Sequence, residues 1–146
     1  GMKQAMQLLE PELRARQQTA KSLGTVVIGT VHGDIHEIGK SLVATMLSAH
    51  GFEVHDLGVD VPANKFLDSI AQHPGCFVGL SALLTTTKPN MENSVKAIKK
   101  TSPDTKVLVG GAPITQEFCT RIGADFYSPN PQDAVAYRNT SVLQHP

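Results

Sequence analysis

The residues best equipped for chemistry lie in one stretch, positions 29–41, which reads GTVHGDIHEIGKS. It carries two imidazoles, His32 and His36, two carboxylates, Asp34 and Glu37, and a Gly-Lys-Ser triplet after a β-branched run. Four kinds of chemistry compete for it. A phosphate-cradling loop needs a glycine separated by four residues from Gly-Lys-Ser, but that position is Asp34, whose charge would repel phosphate. A helix cap would use Asp34 to accept early backbone N–H groups, Glu37 to complete a capping-box variant and Gly39 to allow close helix–sheet packing. That leaves His36 without a task. A zinc site would draw on His32, His36 and Glu37, yet Gly33 and Asp34 form a turn between the imidazoles and Cys76 offers no obvious third ligand. The fourth uses His36 as a single axial ligand to a metal held mainly by a macrocycle, with Asp34 bonded to the other ring nitrogen to set its tautomer. Cap and ligand can coexist, Glu37 capping the helix while Asp34 orients His36.

Regular alternation of elements must position these groups. Apolar, β-branched runs at 25–31, 52–56, 76–80, 106–109 and a weaker one at 124–127 read as strands. Helical segments are expected at 37–50, 63–72, 88–101, 114–122 and 132–138, with Gly51 stopping the first and Pro103 following the third. Five strands alternating with helices predict an α/β, Rossmann-like (flavodoxin-like) doubly wound parallel sheet. With strand order 2-1-3-4-5, the loops after strands one, three and four converge on one crevice at the sheet's carboxyl edge. Those loops hold the His32–His36 stretch, the hydroxyl-rich run from Ser81 to Thr87, and Gly110-Gly111. Residues 2–23, interrupted by Pro11, read as a short helical arm, 24–139 as the domain and 140–146 as a tail. Gly1 ahead of Met2 reads as a cloning remnant.

Composition narrows the partners. The 146-residue chain has 13 Lys+Arg against 13 Asp+Glu and 5% aromatics, which argues against a nucleic-acid surface. No apolar run reaches the ~18 residues of a membrane helix and no signal-peptide layout opens the chain, so a cytoplasmic protein is expected. Cys76 and Cys119 read as reduced cysteines of the core rather than a disulfide framework.

Asp34-Ile35-His36-Glu37-Ile38-Gly39, then Ser81-Ala82-Leu83, then Gly110-Gly111, resembles the ordered DxHxxG, SxL and GG motifs of cobalamin-binding domains. The resemblance covers about residues 24–138. The strings DLGVDVP at 56–62, GLSALLTTT at 79–87 and VGGAPIT at 109–115 are most similar to the corrinoid proteins of methylamine, methanol and methoxy-compound methyltransferase systems.

The resemblance implies a cobalamin bound base-off. His36 replaces the dimethylbenzimidazole as lower cobalt ligand, and the nucleotide tail threads the crevice. Asp34 would hold the ring of His36, Ile35 lies within the same motif, and Gly39 would leave room for the tail. Ser81 and Leu83 would line the benzimidazole pocket and Thr85 would face the tail. Thr87 would continue the His–Asp relay, where methionine synthase has a serine. Gly110 and Gly111 would let the ribose and phosphate approach the backbone. The implied function is a methyl carrier between a substrate-specific methyltransferase and a second corrinoid-dependent one, hence a corrinoid subunit rather than a complete enzyme. Such proteins carry a longer helical domain ahead of the Rossmann-like part. Residues 2–23 resemble its last helix and linker, so another subunit would cover the upper corrin face, or the module is minimal. A mutase subunit, a corrinoid storage or regulatory module, and more weakly an FMN binder share the fold.

Overall fold

The computed structural model describes residues 24–130. The expected arm at 2–23, the last helix at 132–138 and the tail lie outside them. Five strands form one parallel sheet: β1 (Thr25–Thr30), β2 (Glu53–Asp56), β3 (Phe77–Ser81), β4 (Val107–Gly110) and β5 (Phe126–Ser128). Their order is β2-β1-β3-β4-β5, the order expected of a flavodoxin-like sheet. Four helices connect them: α1 (Ile38–Ala49), α2 (Ala63–Gln72), α3 (Lys88–Thr101) and α4 (Gln116–Ile122).

β1 is an interior strand, flanked by β2 and β3, and the loop that follows it carries His36. Its TVVIGT run is β-branched and buried, and neighbouring side chains point to opposite layers. Val26 packs with Leu47 of α1 and Phe52 on one face. Val27 joins the larger core on the other, with Phe66 and Ile70 of α2, Met91, Val95 and Ile98 of α3, and Phe118 of α4. The register sets Thr30 opposite Ser81, and Ser81 opposite Gly110. The ends of β1, β3 and β4 therefore lie side by side.

Local signals set the element boundaries. α1 ends at Ala49 and Gly51 follows with φ 99°, a left-handed conformation that glycine adopts without a Cβ penalty. α3 begins with Pro89 in its first turn and stops before Pro103. α4 begins two residues later than expected because Thr115 is its cap, its hydroxyl accepting the Phe118 N–H at 3.1 Å.

Two features were not anticipated. Lys40, in the Gly-Lys-Ser triplet, is buried, and its ammonium donates to both oxygens of Asp56 at 2.7 Å. A lysine is buried only with such a partner. This pair ties the first turn of α1 to the end of β2, and it removes the phosphate-loop reading, since the Lys40 cation is committed to Asp56. Second, the glycine pair at the end of β4 answers to the protein's own backbone. A Cβ on Gly111, whose φ is 129°, would lie 1.8 Å from the Ala82 carbonyl oxygen, and one on Gly110 would lie 3.0 Å from the Ser128 carbonyl. The close approach that Gly111 permits is to the Ser81-Ala82-Leu83 segment. Gly111→Ala should therefore destabilise the chain by roughly 2–4 kcal/mol, read from urea unfolding, since both the φ and the overlap must be relieved. Wild-type stability in that variant would contradict the packing described.

Candidate functional site

The site is built around Asp34. Its side chain is fully buried one residue past the turn that ends β1, and its two oxygens accept from five donors. Oδ1 takes the backbone N–H of His36 at 3.0 Å and the His36 ring Nδ1 at 2.9 Å. Oδ2 takes the backbone N–H of Leu83 at 2.7 Å, that of Leu84 at 3.1 Å and the Thr87 hydroxyl at 2.8 Å. Burial raises the pKa of the carboxyl, but the donors from His36, Leu83 and Thr87 outweigh it and hold the group well below the usual carboxylate range. Asp34 is therefore an anion at neutral pH.

An ionised carboxylate can only accept, so Nδ1 of His36 must carry the proton. In the neutral form of the ring the lone pair therefore lies on Nε2, and the side chain remains 44% exposed. The backbone of His36 is held as well, because the Thr30 hydroxyl donates to its carbonyl at 2.9 Å. What results is an imidazole of set tautomer and fixed base, which is how a metal-ligating histidine is prepared.

The capping expectation for this stretch is corrected by these contacts. α1 starts at Ile38, and Glu37 at its N-cap makes no side-chain capping bond. Asp34 turns away to the β3–α3 loop because that loop offers three donors. The zinc alternative loses its geometry: His32 pairs through Nδ1 with Asp60 at 3.0 Å, while His36 pairs with Asp34. Among the described residues no group of three or more His, Cys, Asp or Glu side chains could hold a metal.

The other residues named from the sequence fall along the same edge. Ser81 ends β3, half-buried, and its carbonyl accepts the Val31 N–H. Leu83 contributes its N–H to Asp34 and leaves its side chain exposed. Thr85 opens a one-turn 3-10 helix, Thr85–Thr87, and is exposed, whereas Thr87 is buried. Gly39 lies in the first turn of α1 with nothing within 4 Å of where a Cβ would stand, so the packing reason offered for it does not hold. Ile35, Ile38, Leu42, Leu83 and Leu84 are the exposed large apolar side chains of the described residues, and all five belong to the His36 loop, the start of α1 and the β3–α3 loop. Such a concentration around one polar group marks a ligand surface.

Sequence reasoning missed Thr30, the Leu84 N–H and the Lys40–Asp56 pair. Only Thr30 had a signal, a hydroxyl at the end of an otherwise apolar strand.

Comparison with known proteins decides the family. The B12 binding domain matches residues 24–136. The chain belongs to that family. Its cofactor is accordingly cobalamin, and the donor set fits one: a single imidazole nitrogen beside apolar surface suits a metal whose other ligands come from a macrocycle. This B12-binding domain is 44% identical over 138 residues to the trimethylamine corrinoid protein of Methanosarcina barkeri, covering 93% of this chain and 64% of that one. It thus spans less than two thirds of that relative's length. Among solved structures, the monomethylamine corrinoid protein of Methanosarcina barkeri is 33% identical with a TM-score of 0.78, covering 96% of this chain and 66% of that one. A chain of the methanol:cobalamin methyltransferase complex from the same organism is 29% identical with a TM-score of 0.79, over 83% of this chain and 47% of that one.

The buried carboxylate gives a pH test. The folded-state pKa of Asp34 lies below the ordinary 3.8, so its stabilisation is complete above that pH and is lost as the pH falls through the folded value. Asp34→Asn should cost about 2–4 kcal/mol at pH 7, because its amide N–H groups would face the Leu83 and Leu84 donors. Urea unfolding of both proteins should show a constant gap from pH 5 to 8 that narrows only below about pH 4. A gap that closes already near pH 6 would mean that Asp34 is not the ionised group described.

Proposed function

We propose that this chain is the corrinoid-carrying part of a methyl carrier, holding cobalamin with its benzimidazole displaced and Nε2 of His36 as the protein's ligand to cobalt. The observation that carries the reading is the buried Asp34 whose Oδ1 holds Nδ1 of His36, leaving Nε2 as the ring nitrogen free to face a ligand. Similarity to the trimethylamine and monomethylamine corrinoid proteins supports the carrier role, and similarity to a chain of the methanol:cobalamin methyltransferase complex supports methyltransferases as partners. A substrate-specific methyltransferase would load the carrier and a second corrinoid-dependent one would unload it.

Cobalamin, when bound, supplies a cobalt centre that takes up a methyl group and gives it up again. The chain's residues supply the rest. His36 donates through Nε2, and a proton arriving at Nε2 would withdraw that lone pair and release the ligand. Asp34 remains anionic and stabilises the resulting imidazolium through Nδ1. Thr87 has one hydroxyl proton and stands 2.8 Å from both Asp34 Oδ2 and the Leu84 carbonyl, so it can vary how much charge Asp34 presents to the ring. Ser81, Leu83 and Thr85 would line the tail crevice, Ile35 would meet the corrin beside His36, and the open space over Gly39 would admit the tail. Gly110 and Gly111 would act indirectly, by letting the β3–α3 loop sit close to the end of β4.

Two variants and one titration test this. Wild-type chain titrated with hydroxocobalamin should bind one equivalent, followed by ultraviolet–visible absorption. His36→Ala should retain most of the affinity and lose the spectrum of a histidine-ligated cobalt. Gly39→Ala should do the opposite of an ordinary site mutation: it should stabilise the cobalamin-free fold by up to about 1 kcal/mol, through helix propensity, and weaken uptake at least tenfold by filling the crevice. Unchanged uptake by Gly39→Ala would remove the tail crevice from that position, and complete loss of uptake by His36→Ala would contradict the separation of ligand from retention.

A further inference from the structure

Asp60, in the loop between β2 and α2, is the one non-glycine among the described residues with a positive φ, 53°. The left-handed conformation costs a residue with a Cβ about 1 kcal/mol, and glycine would avoid that cost. The side chain explains why an aspartate is accommodated. Its Oδ1 accepts the backbone N–H of Gly33 at 2.7 Å and lies 3.0 Å from Nδ1 of His32. Its own N–H donates to the Asp34 carbonyl at 2.8 Å. The next residue, Val61, is buried, donates to the Thr30 carbonyl and bridges to Val31, so the loop that presents Asp60 is anchored to the end of β1.

The turn from His32 to Asp34 leads directly into His36. One side of it is held by Asp34 itself, through Leu83, Leu84 and Thr87 of the β3–α3 loop. The opposite side is held by Asp60 from the β2–α2 loop, and the Asn90 amide of α3 donates to the His32 carbonyl. Gly33 has a φ of 85°, and a Cβ there would come within 3.2 Å of that Asn90 nitrogen, so the turn has little slack on the α3 side. Without the Asp60 carboxylate, the Gly33 N–H loses its acceptor and His32 its partner.

We infer that Asp60 is a positioning residue for the cobalt-ligand loop, its carboxylate clamping the His32-Gly33-Asp34 turn so that the Asp34–His36 pair keeps its register with Leu83, Leu84 and Thr87. This deepens the proposed function and rests on it, because the geometry being held is that of the His36 ligand. His32 acts as the outer half of the clamp and not as a second metal ligand.

Three substitutions separate the side chain from the backbone. Asp60→Asn keeps an acceptor oxygen and tolerates the left-handed conformation. Asp60→Gly relieves the backbone and removes the acceptor, and Asp60→Ala removes the acceptor while retaining the strain. Amide hydrogen exchange by nuclear magnetic resonance is first compared on the cobalamin-free chains. The His36, Leu83 and Leu84 amides, none of which touches Asp60, should exchange about tenfold faster in both Asp60→Gly and Asp60→Ala, with core amides of β1 and β3 unchanged in Asp60→Gly, and Asp60→Asn should restore protection. In the loaded chains the fraction of cobalt(II) showing a histidine nitrogen in its electron paramagnetic resonance spectrum should fall in the same two variants and recover in Asp60→Asn. Wild-type protection and wild-type ligation in Asp60→Gly would overturn the inference, leaving Asp60 a mere backbone requirement. A wild-type chain that takes up no hydroxocobalamin would instead refute the proposed function, and the exchange comparison would still stand or fall by itself.

Discussion

A carboxylate with no exposed surface can stay ionised only if several donors surround it, and in this chain those donors come from two different crossovers. Asp34 follows β1, whereas Leu83, Leu84 and Thr87 follow β3. The fold satisfies the requirement by placing β1 and β3 side by side, with Thr30 opposite Ser81, so that the two loops leave the sheet at the same height. Gly111 contributes from the neighbouring strand by letting the backbone of Ala82 come close. A sheet of another strand order would leave Asp34 short of partners, and a neutral Asp34 would no longer dictate the tautomer of His36. Sheet topology, loop packing and ligand chemistry are therefore one linked constraint.

The same region explains why so much apolar surface is left uncovered. Val27, Phe66, Met91 and Ile98 account for a well-filled core beneath the sheet. Ile35, Ile38, Leu83 and Leu84 remain outside it, at the carboxyl edge, around a half-exposed imidazole. Under the proposed function that surface would receive the cobalamin, and the Lys40–Asp56 pair holds the first turn of α1 against β2 beside it.

Much of this was readable from residue types alone, and the reason is local. Strand and helix periods, Gly51 after α1, Pro103 after α3 and the Asp34–His36 spacing all act over a few positions, and alternation of elements then leads to a doubly wound parallel sheet. Thr87 as a partner of Asp34 was also legible, through resemblance. What escaped was set by contacts between distant segments. Glu37 looked like a cap because the donors that recruit Asp34 lie some fifty residues away in the chain. Lys40 had no visible partner, because Asp56 reaches it from β2. Gly110 and Gly111 looked like room for a ligand, although the segment that Gly111 admits is the chain's own. Asp60 gave no sign, since a left-handed φ at an aspartate is visible only in the folded backbone.

Whether Nε2 of His36 is the nitrogen this chain offers to cobalt can be decided by one spectrum. The chain would be loaded with cobalamin, reduced to cobalt(II), and its electron paramagnetic resonance recorded with natural-abundance histidine and with histidine carrying nitrogen-15 in the ring. The expected result is axial hyperfine splitting that changes from the triplet pattern of nitrogen-14 to the doublet pattern of nitrogen-15 in the labelled protein, and is absent in His36→Ala. A triplet that persists unchanged after labelling would show that the benzimidazole still holds the cobalt, and would contradict the pairing of Asp34 with His36 as the cobalt-ligand device of this fold.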